Sequence, residues 1–155
     1  MKQDFSEWLK FESLLANWMG AFQSQDLIFK SGRQAIPGFP SSGFRADGLL
    51  TNNKILLALE VEVRQTHPDT NVGKYWLLSQ HYQYEKVILL HVYTPAYNSY
   101  GWRKTLGEFY AEKMERDFAF EYIVIDLRKE TSIEHCLQLV TVELQKHIEM
   151  LFKAA

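Results

Sequence analysis

The run over residues 54–65, KILLALEVEVRQ, most narrows what this chain can become. It begins as a continuous apolar stretch and turns into strict alternation. Along an extended strand, Glu60, Glu62 and Arg64 then point one way while Leu59, Val61 and Val63 point the other. Three charges are expected on one face. Just upstream, Asn52-Asn53 reads as a two-residue hairpin turn, because Asn tolerates positive φ; it pairs residues 45–51 antiparallel with the longer strand. That pairing carries Asp47 to the Glu60/Glu62 end.

The remaining chain has to supply a core for this hairpin. With 155 residues and 46% hydrophobic content, it suits one domain over residues 1–155, and no Pro-, Gly- or Ser-rich linker is long enough to divide it. Asp4 and Glu7 interrupt the N-terminus, and no apolar run approaches the roughly 20 residues that span a bilayer. A soluble, cytoplasmic protein without a membrane partner is the expectation. Cys136 is the single cysteine, which excludes an internal disulfide and any multi-cysteine zinc site; within an amphipathic helix it reads as a core residue. A net charge of -2 excludes nucleic-acid binding by overall charge and leaves only a local basic surface for that purpose.

In chain order, residues 3–23 read as a helix with Phe5, Trp8, Leu15, Met19 and Phe22 recurring at spacings of three and four. Glu12 fills the missing step of that stripe. A carboxylate there is costly unless it is paired, hydrogen-bonded or holds a cation, so Glu12 is the partner of a sheet Arg or Lys, a residue at the rim of the stripe, or an outer member of a metal site. Residues 26–30 form a short strand, and residues 32–43 are a loop by their Gly, Pro and Ser content. With Lys30 and Arg33 at its base and Phe39 further along, this loop either tracks a phosphate backbone and stacks on a base or serves as an ordinary connection.

Residues 65–70 break the pattern, and Asp69 or Thr70 caps a helix expected to begin near Asn71. Asn71 and Lys74, three apart, then share a helical face turned toward Glu60 and Glu62, with His67 just ahead of them. Beyond this point the chain reads as scaffold: a buried strand over 86–93, a helix over 100–116, a buried strand over 118–127, and a last helix capped by Ser132. His91 on its buried strand reads as a core histidine, and His81, His135 and His147 show no ligand spacing. Strands alternating with helices after an initial hairpin imply an α/β domain with a mixed sheet of about four to five strands, helices covering its faces.

The order helix, acidic hairpin, helix, strand, with Arg45-Ala46-Asp47 followed after twelve residues by Glu60-Val61-Glu62, resembles the PD-(D/E)XK nuclease superfamily over residues 5–95. The resemblance implies a restriction endonuclease-like fold and a Mg²⁺-dependent endonuclease, with Mn²⁺ as substitute. Its partner is nucleic acid, DNA first, with a homodimer as one route to cutting both strands. By the same likeness Asp47 and Glu60 match the two metal-binding carboxylates and Val61 lends its carbonyl. Ala46 stands where the family's name-giving proline is found. Glu62 replaces the usual lysine, a variant that some restriction enzymes carry, and Lys74 is placed like the lysine that other members move to the following helix. Glu12 is similar to the first-helix glutamate of Holliday-junction resolvase-like members.

The chemistry is consistent with those residue types. A carboxylate-held Mg²⁺ both neutralises an anionic phosphodiester and activates water, and clustered carboxylates without a counter-charge raise one another's pKa. Asp47, Glu60, Glu62 and Lys74 are therefore the expected catalytic residues, with Glu12, Asp47, Glu60 and Val61 at the metal. Lys30, Arg33, Arg64, His67 and Asn71 are candidates for substrate contacts. Arg64 is also an alternative counter-charge, in which case Glu62 and Arg64 are neighbours on a solvated strand face. A second functional class stays open, a catalytically inactive nuclease-fold module whose many tyrosines serve a protein or nucleic-acid interface. A two-carboxylate sugar hydrolase is disfavoured because no substrate-sized subdomain is evident.

Overall fold

The apolar run ahead of Glu60 becomes the centre of a five-stranded mixed sheet. A computed structural model describes residues 5–32, 34–37, 44–64, 67–81, 84–97 and 101–153. Along the chain come α1 (Phe5–Gly20), β1 (Ile28–Ser31), β2 (Gly48–Thr51), β3 (Ile55–Glu62), α2 (Pro68–His81), β4 (Lys86–Tyr93), α3 (Gly101–Asp117), β5 (Phe120–Asp126) and α4 (Ile133–Lys153). The strands lie side by side in sequence order, β1, β2 and β3 antiparallel, then β3, β4 and β5 parallel. The α/β class and the mixed sheet expected from the sequence are thus present. Arg33 and Phe39 lie outside the described residues.

The two sheet faces bury different helices. Leu57, Leu59, Val61 and Val63 pack with Trp8, Phe11, Leu15 and Met19 of α1 and with Cys136, Val140, Leu144 and Ile148 of α4. Leu49, Leu56, Ala58 and Leu89 pack on the other side with Val72, Tyr75 and Leu78 of α2 and with Ala111 and Met114 of α3. The side-chain alternation read from β3 is therefore realised up to Val63. It ends there: the chain bends after Glu62, and the Arg64 guanidinium settles 4.3 Å from the Phe5 ring centroid, against α1. Arg64 does not share the Glu60/Glu62 face, because the charge finds an aromatic ring and water once the strand ends.

Three local expectations shift. The hairpin connection is longer than Asn52-Asn53. Asn53 takes φ 70°, Asn52 Oδ1 accepts from the N–H groups of Lys54 (3.0 Å) and Ile55 (2.8 Å), and Thr51 pairs with Leu56. Extending that register from Gly48 opposite Leu59 sets Asp47 opposite Glu60. In α1, Phe11 is buried while Phe5 and Glu12 are half-exposed, so the apolar stripe runs Trp8, Phe11, Leu15, Met19 and Glu12 sits at its rim. Helix α2 starts at Pro68 rather than near Asn71; proline suits a first helical position, where no N–H is needed, and the Thr70 N–H reaches the His67 carbonyl at 3.2 Å. Lys74 consequently lies in the second turn.

Two glycines allow the close approaches that position the helices. A Cβ on Gly48 would lie 2.8 Å from Met19 Sδ, so α1 runs tightly over β2. At Gly107 it would lie 3.4 Å from the Asp69 Cα, where α3 crosses the start of α2. Ser132 caps α4 as expected, its Oγ accepting the His135 N–H at 3.2 Å.

Candidate functional site

Where β3 ends, the sheet carries charge on the face covered by α2. Glu60 and Glu62 alternate with the apolar Val61 and are both buried, an arrangement that water-free surroundings tolerate only with partners. Each carboxylate finds its own set. The Glu60 Oε1 accepts from the Tyr75 hydroxyl at 2.8 Å and forms an ion pair with the Lys74 ammonium. Lys74 Nζ also donates to the Arg45 carbonyl at 2.5 Å and to Asn71 Oδ1 at 3.3 Å. Burial still dominates over the lysine, and the Glu60 carboxyl is pushed up to about 8, while Tyr75 is driven well above the ordinary phenol range by burial and by Glu60.

Glu62 turns toward the middle of the sheet. Its Oε1 accepts from Asn71 Nδ2 at 2.6 Å and lies 2.7 Å from His91 Nε2, whose ring continues to the Tyr122 hydroxyl at 2.6 Å from Nδ1. Its backbone carbonyl is taken by Thr94, through Oγ1 at 2.8 Å and N at 3.2 Å. Oε2 of the same carboxylate is buried and has no hydrogen-bond partner among the described residues.

Asp47 and Glu12 complete the cluster. Asp47 Oδ2 accepts the Val61 N–H at 2.7 Å, so the turn into β2 is pinned to the backbone of β3 beside Glu60. Glu12 reaches it from α1 by a side-chain hydrogen bond. Burial first, then the Asp47 charge and that hydrogen bond, with Glu62 adding a smaller repulsion, push Glu12 up to about 8. Asp47 is also raised by burial, but the Val61 N–H, the hydrogen bond from Glu12 and the Lys74 charge all pull it back. Burial and mutual repulsion thus push both carboxyls of the pair up, Glu12 with fewer groups to offset them.

The remaining sequence candidates are placed more loosely. Lys30 is half-buried on edge strand β1, opposite Leu49 and so on the α2 side of the sheet, whereas His67 is exposed ahead of α2 and Arg64 lies on Phe5. The counter-charge near the carboxylates is Lys74, not Arg64.

Three residues that the linear pattern did not single out for the site belong to it: Tyr75, His91 and Tyr122. The sequence holds a signal for two of them. Tyr75 stands four after Asn71, hence on one helical face with it. His91 is the sixth residue of an eight-residue apolar strand, as Glu60 is of β3, and the parallel register sets those sixth positions side by side. Tyr122 has no such local mark.

Among the described residues no three His, Cys, Asp or Glu side chains converge as a ready ligand cage. In the conformation described, Asp47 is engaged by Val61 and Glu12, and Glu60 by Lys74 and Tyr75. The donor set nonetheless fits a hard divalent cation: it is all oxygen, its carboxylates are crowded enough to push Glu12 up, and Glu62 Oε2 is buried with no hydrogen-bond partner among the described residues. Its place, at the carboxyl end of a strand in the parallel part of an open sheet, is where such folds bind ligands. No protein-family model, curated protein or solved structure matches the chain, so the reading of this site rests on its own side chains.

Proposed function

We propose that this protein is a Mg²⁺-dependent phosphodiesterase acting on nucleic acid, DNA in the first instance, through Asp47, Glu60, Glu62 and Lys74. The observation that carries the proposal is the convergence of the Glu12, Asp47 and Glu62 carboxylates in buried surroundings, with Oε2 of Glu62 lacking a hydrogen-bond partner among the described residues. Carboxylates so crowded hold a proton when no cation is near, and a divalent ion is the natural replacement for it. Asp47, Glu60 and the Val61 carbonyl would hold the ion, with Glu62 at a second ion or as acceptor of the water proton and Glu12 on an outer-shell water. Such an ion supplies positive charge to the phosphodiester and makes water a usable nucleophile near neutral pH.

The chain's own groups have distinct tasks. Lys74, held by three oxygens at the helix face, is a fixed positive charge that orients water or offsets the charge developing on phosphorus. Tyr75 and Asn71 hold Glu60 and Glu62 apart and in place. Lys30 on β1 offers a cation for the phosphate backbone on the same side of the sheet.

The test is calorimetric titration of Mg²⁺ and Mn²⁺ into the wild type and Asp47→Ala, followed by incubation with supercoiled and single-stranded DNA. Binding lost in the variant, with metal-dependent nicking by the wild type alone, is the expected result. A wild type that binds neither ion and leaves both DNAs intact refutes the proposal and leaves a non-catalytic module on this scaffold.

A further inference from the structure

The carboxylate of Glu62 is held asymmetrically. Both of its donors, Asn71 Nδ2 and His91 Nε2, meet the same oxygen, Oε1, and Oε2 has no hydrogen-bond partner among the described residues. A buried carboxylate with unconstrained surroundings would spread its donors over both oxygens, because each unpaired oxygen carries the full cost of its lost hydration.

The asymmetry depends on the His91 tautomer. A neutral imidazole donates from one nitrogen and accepts at the other, so the ring can serve an ionised Glu62 only with hydrogen on Nε2. Nδ1 must then accept a hydrogen bond, and the group facing it is the Tyr122 hydroxyl at 2.6 Å. Burial raises that phenol well above its ordinary range, so it keeps its proton and is able to donate. The resulting chain has one direction, from Tyr122 O–H to His91 Nδ1 and from His91 Nε2–H to Glu62 Oε1. Its members come from three adjacent parallel strands, β5, β4 and β3, and run diagonally across one sheet face, with Tyr122 opposite Leu89 and His91 opposite Glu60.

We propose that His91, fixed in its Nε2–H tautomer by Tyr122, is a positioning residue that occupies Glu62 Oε1 together with Asn71 and so leaves Oε2 as the oxygen available to a divalent cation. The inference rests on the functional reading above and adds to it a pair of residues that orient a ligand without touching the ion. Groups that orient a metal ligand in this way typically change affinity by about 10–100-fold when removed.

The experiment has two parts on the full chain. The first is the ¹⁵N spectrum of the His91 ring in the metal-free wild type and in Tyr122→Phe. The expected wild-type pattern is a protonated Nε2 with an unprotonated, hydrogen-bonded Nδ1, shifting to a tautomer mixture in the variant. Hydrogen on Nδ1 in the wild type overturns the proposal without reference to any metal. The second is Mn²⁺ titration of the wild type, His91→Leu, His91→Gln and Glu62→Gln. Affinity should fall about 10–100-fold in His91→Leu and recover substantially in His91→Gln, whose amide can again donate to Oε1. No further loss should follow from His91→Leu placed on Glu62→Gln. Wild-type binding that Asp47→Ala abolishes and a folded His91→Leu leaves untouched defeats the positioning role alone. Absence of binding in the wild type defeats the functional reading and this one with it. Should His91→Leu fail to fold, His91→Gln and the wild-type tautomer still decide.

Discussion

On the α1/α4 face, β3 presents Leu57, Leu59, Val61 and Val63 to an apolar layer; on the α2/α3 face the same strand presents Leu56, Ala58, Glu60 and Glu62. One strand thus serves a dry core and a charged cluster at once. The first face is stabilised by area removed from water and is insensitive to pH. The second retains charge at its carboxyl end, where desolvation pushes the carboxyls of Glu12 and Glu60 up. Stability and chemistry are separated by the two-residue period of a strand, and the apolar face offsets what the charged end costs.

The sharpest way to break that contrast is to truncate the apolar face. Leu144→Ala, fully buried on α4, should lower stability in urea by about 2–5 kcal/mol at any pH. A loss that varies strongly with pH would show that the faces are coupled rather than separate.

The charged face should show the opposite behaviour. Glu12 and Glu60 each rise from 4.5 to about 8 on folding, so the folded state binds protons more tightly than the unfolded one. Their contribution to stability is fully present below pH about 4.5, declines as pH rises through about 8, and is absent above it. The unfolding free energy of the metal-free protein, measured in urea, should fall across this window by an amount on the order of a few kcal/mol. Glu12→Gln/Glu60→Gln should flatten the curve, and a slope that survives both changes would locate the titration elsewhere.

Removing the lysine tests the same face from its cationic side. Lys74→Met takes an 11% exposed ammonium away from a 3% exposed Glu60 carboxylate and should cost about 1–3 kcal/mol, less than a rigid buried pair, because Glu60 can take up a proton. Glu60 should titrate still higher in this variant, as seen by carboxyl ¹³C shifts. An unchanged titration would remove Lys74 from the site.

The smallest effect is expected at Glu12→Gln. Below pH about 4.5, where Glu12 is protonated in both states, the amide still donates to Asp47 without adding charge, so stability should change by less than about 1 kcal/mol. Destabilisation of several kcal/mol would mean that Glu12 holds α1 to β2 rather than serving the cluster.

Much of the fold was legible because it is written in local period. The strand expected over residues 86–93 is β4 (Lys86–Tyr93), and the helix expected after Ser132 is α4, since unbroken apolar runs and a capping serine need no knowledge of neighbours. The site was legible in part for a similar reason: Asp47, Glu60, Glu62, Asn71 and Lys74 are brought together by a short hairpin and the next helix. Arg64 was misplaced because alternation holds only while the strand lasts. The start of α2 was missed because His67-Pro68 reads as a break, whereas proline at a first helical turn begins a helix.

By itself the sequence determined which strand carries the charge, which residues alternate against it, and that a carboxylate from the first helix would lie near an apolar stripe. Only the tertiary structure decided who pairs with whom. Glu62 meets His91 at a sequence separation of 29, and His91 meets Tyr122 at 31, through the register of three parallel strands. Side-chain period is a property of the backbone and can be read along one segment. Register is settled by helices and loops packing elsewhere, and the partner that makes a buried charge tolerable comes with the register.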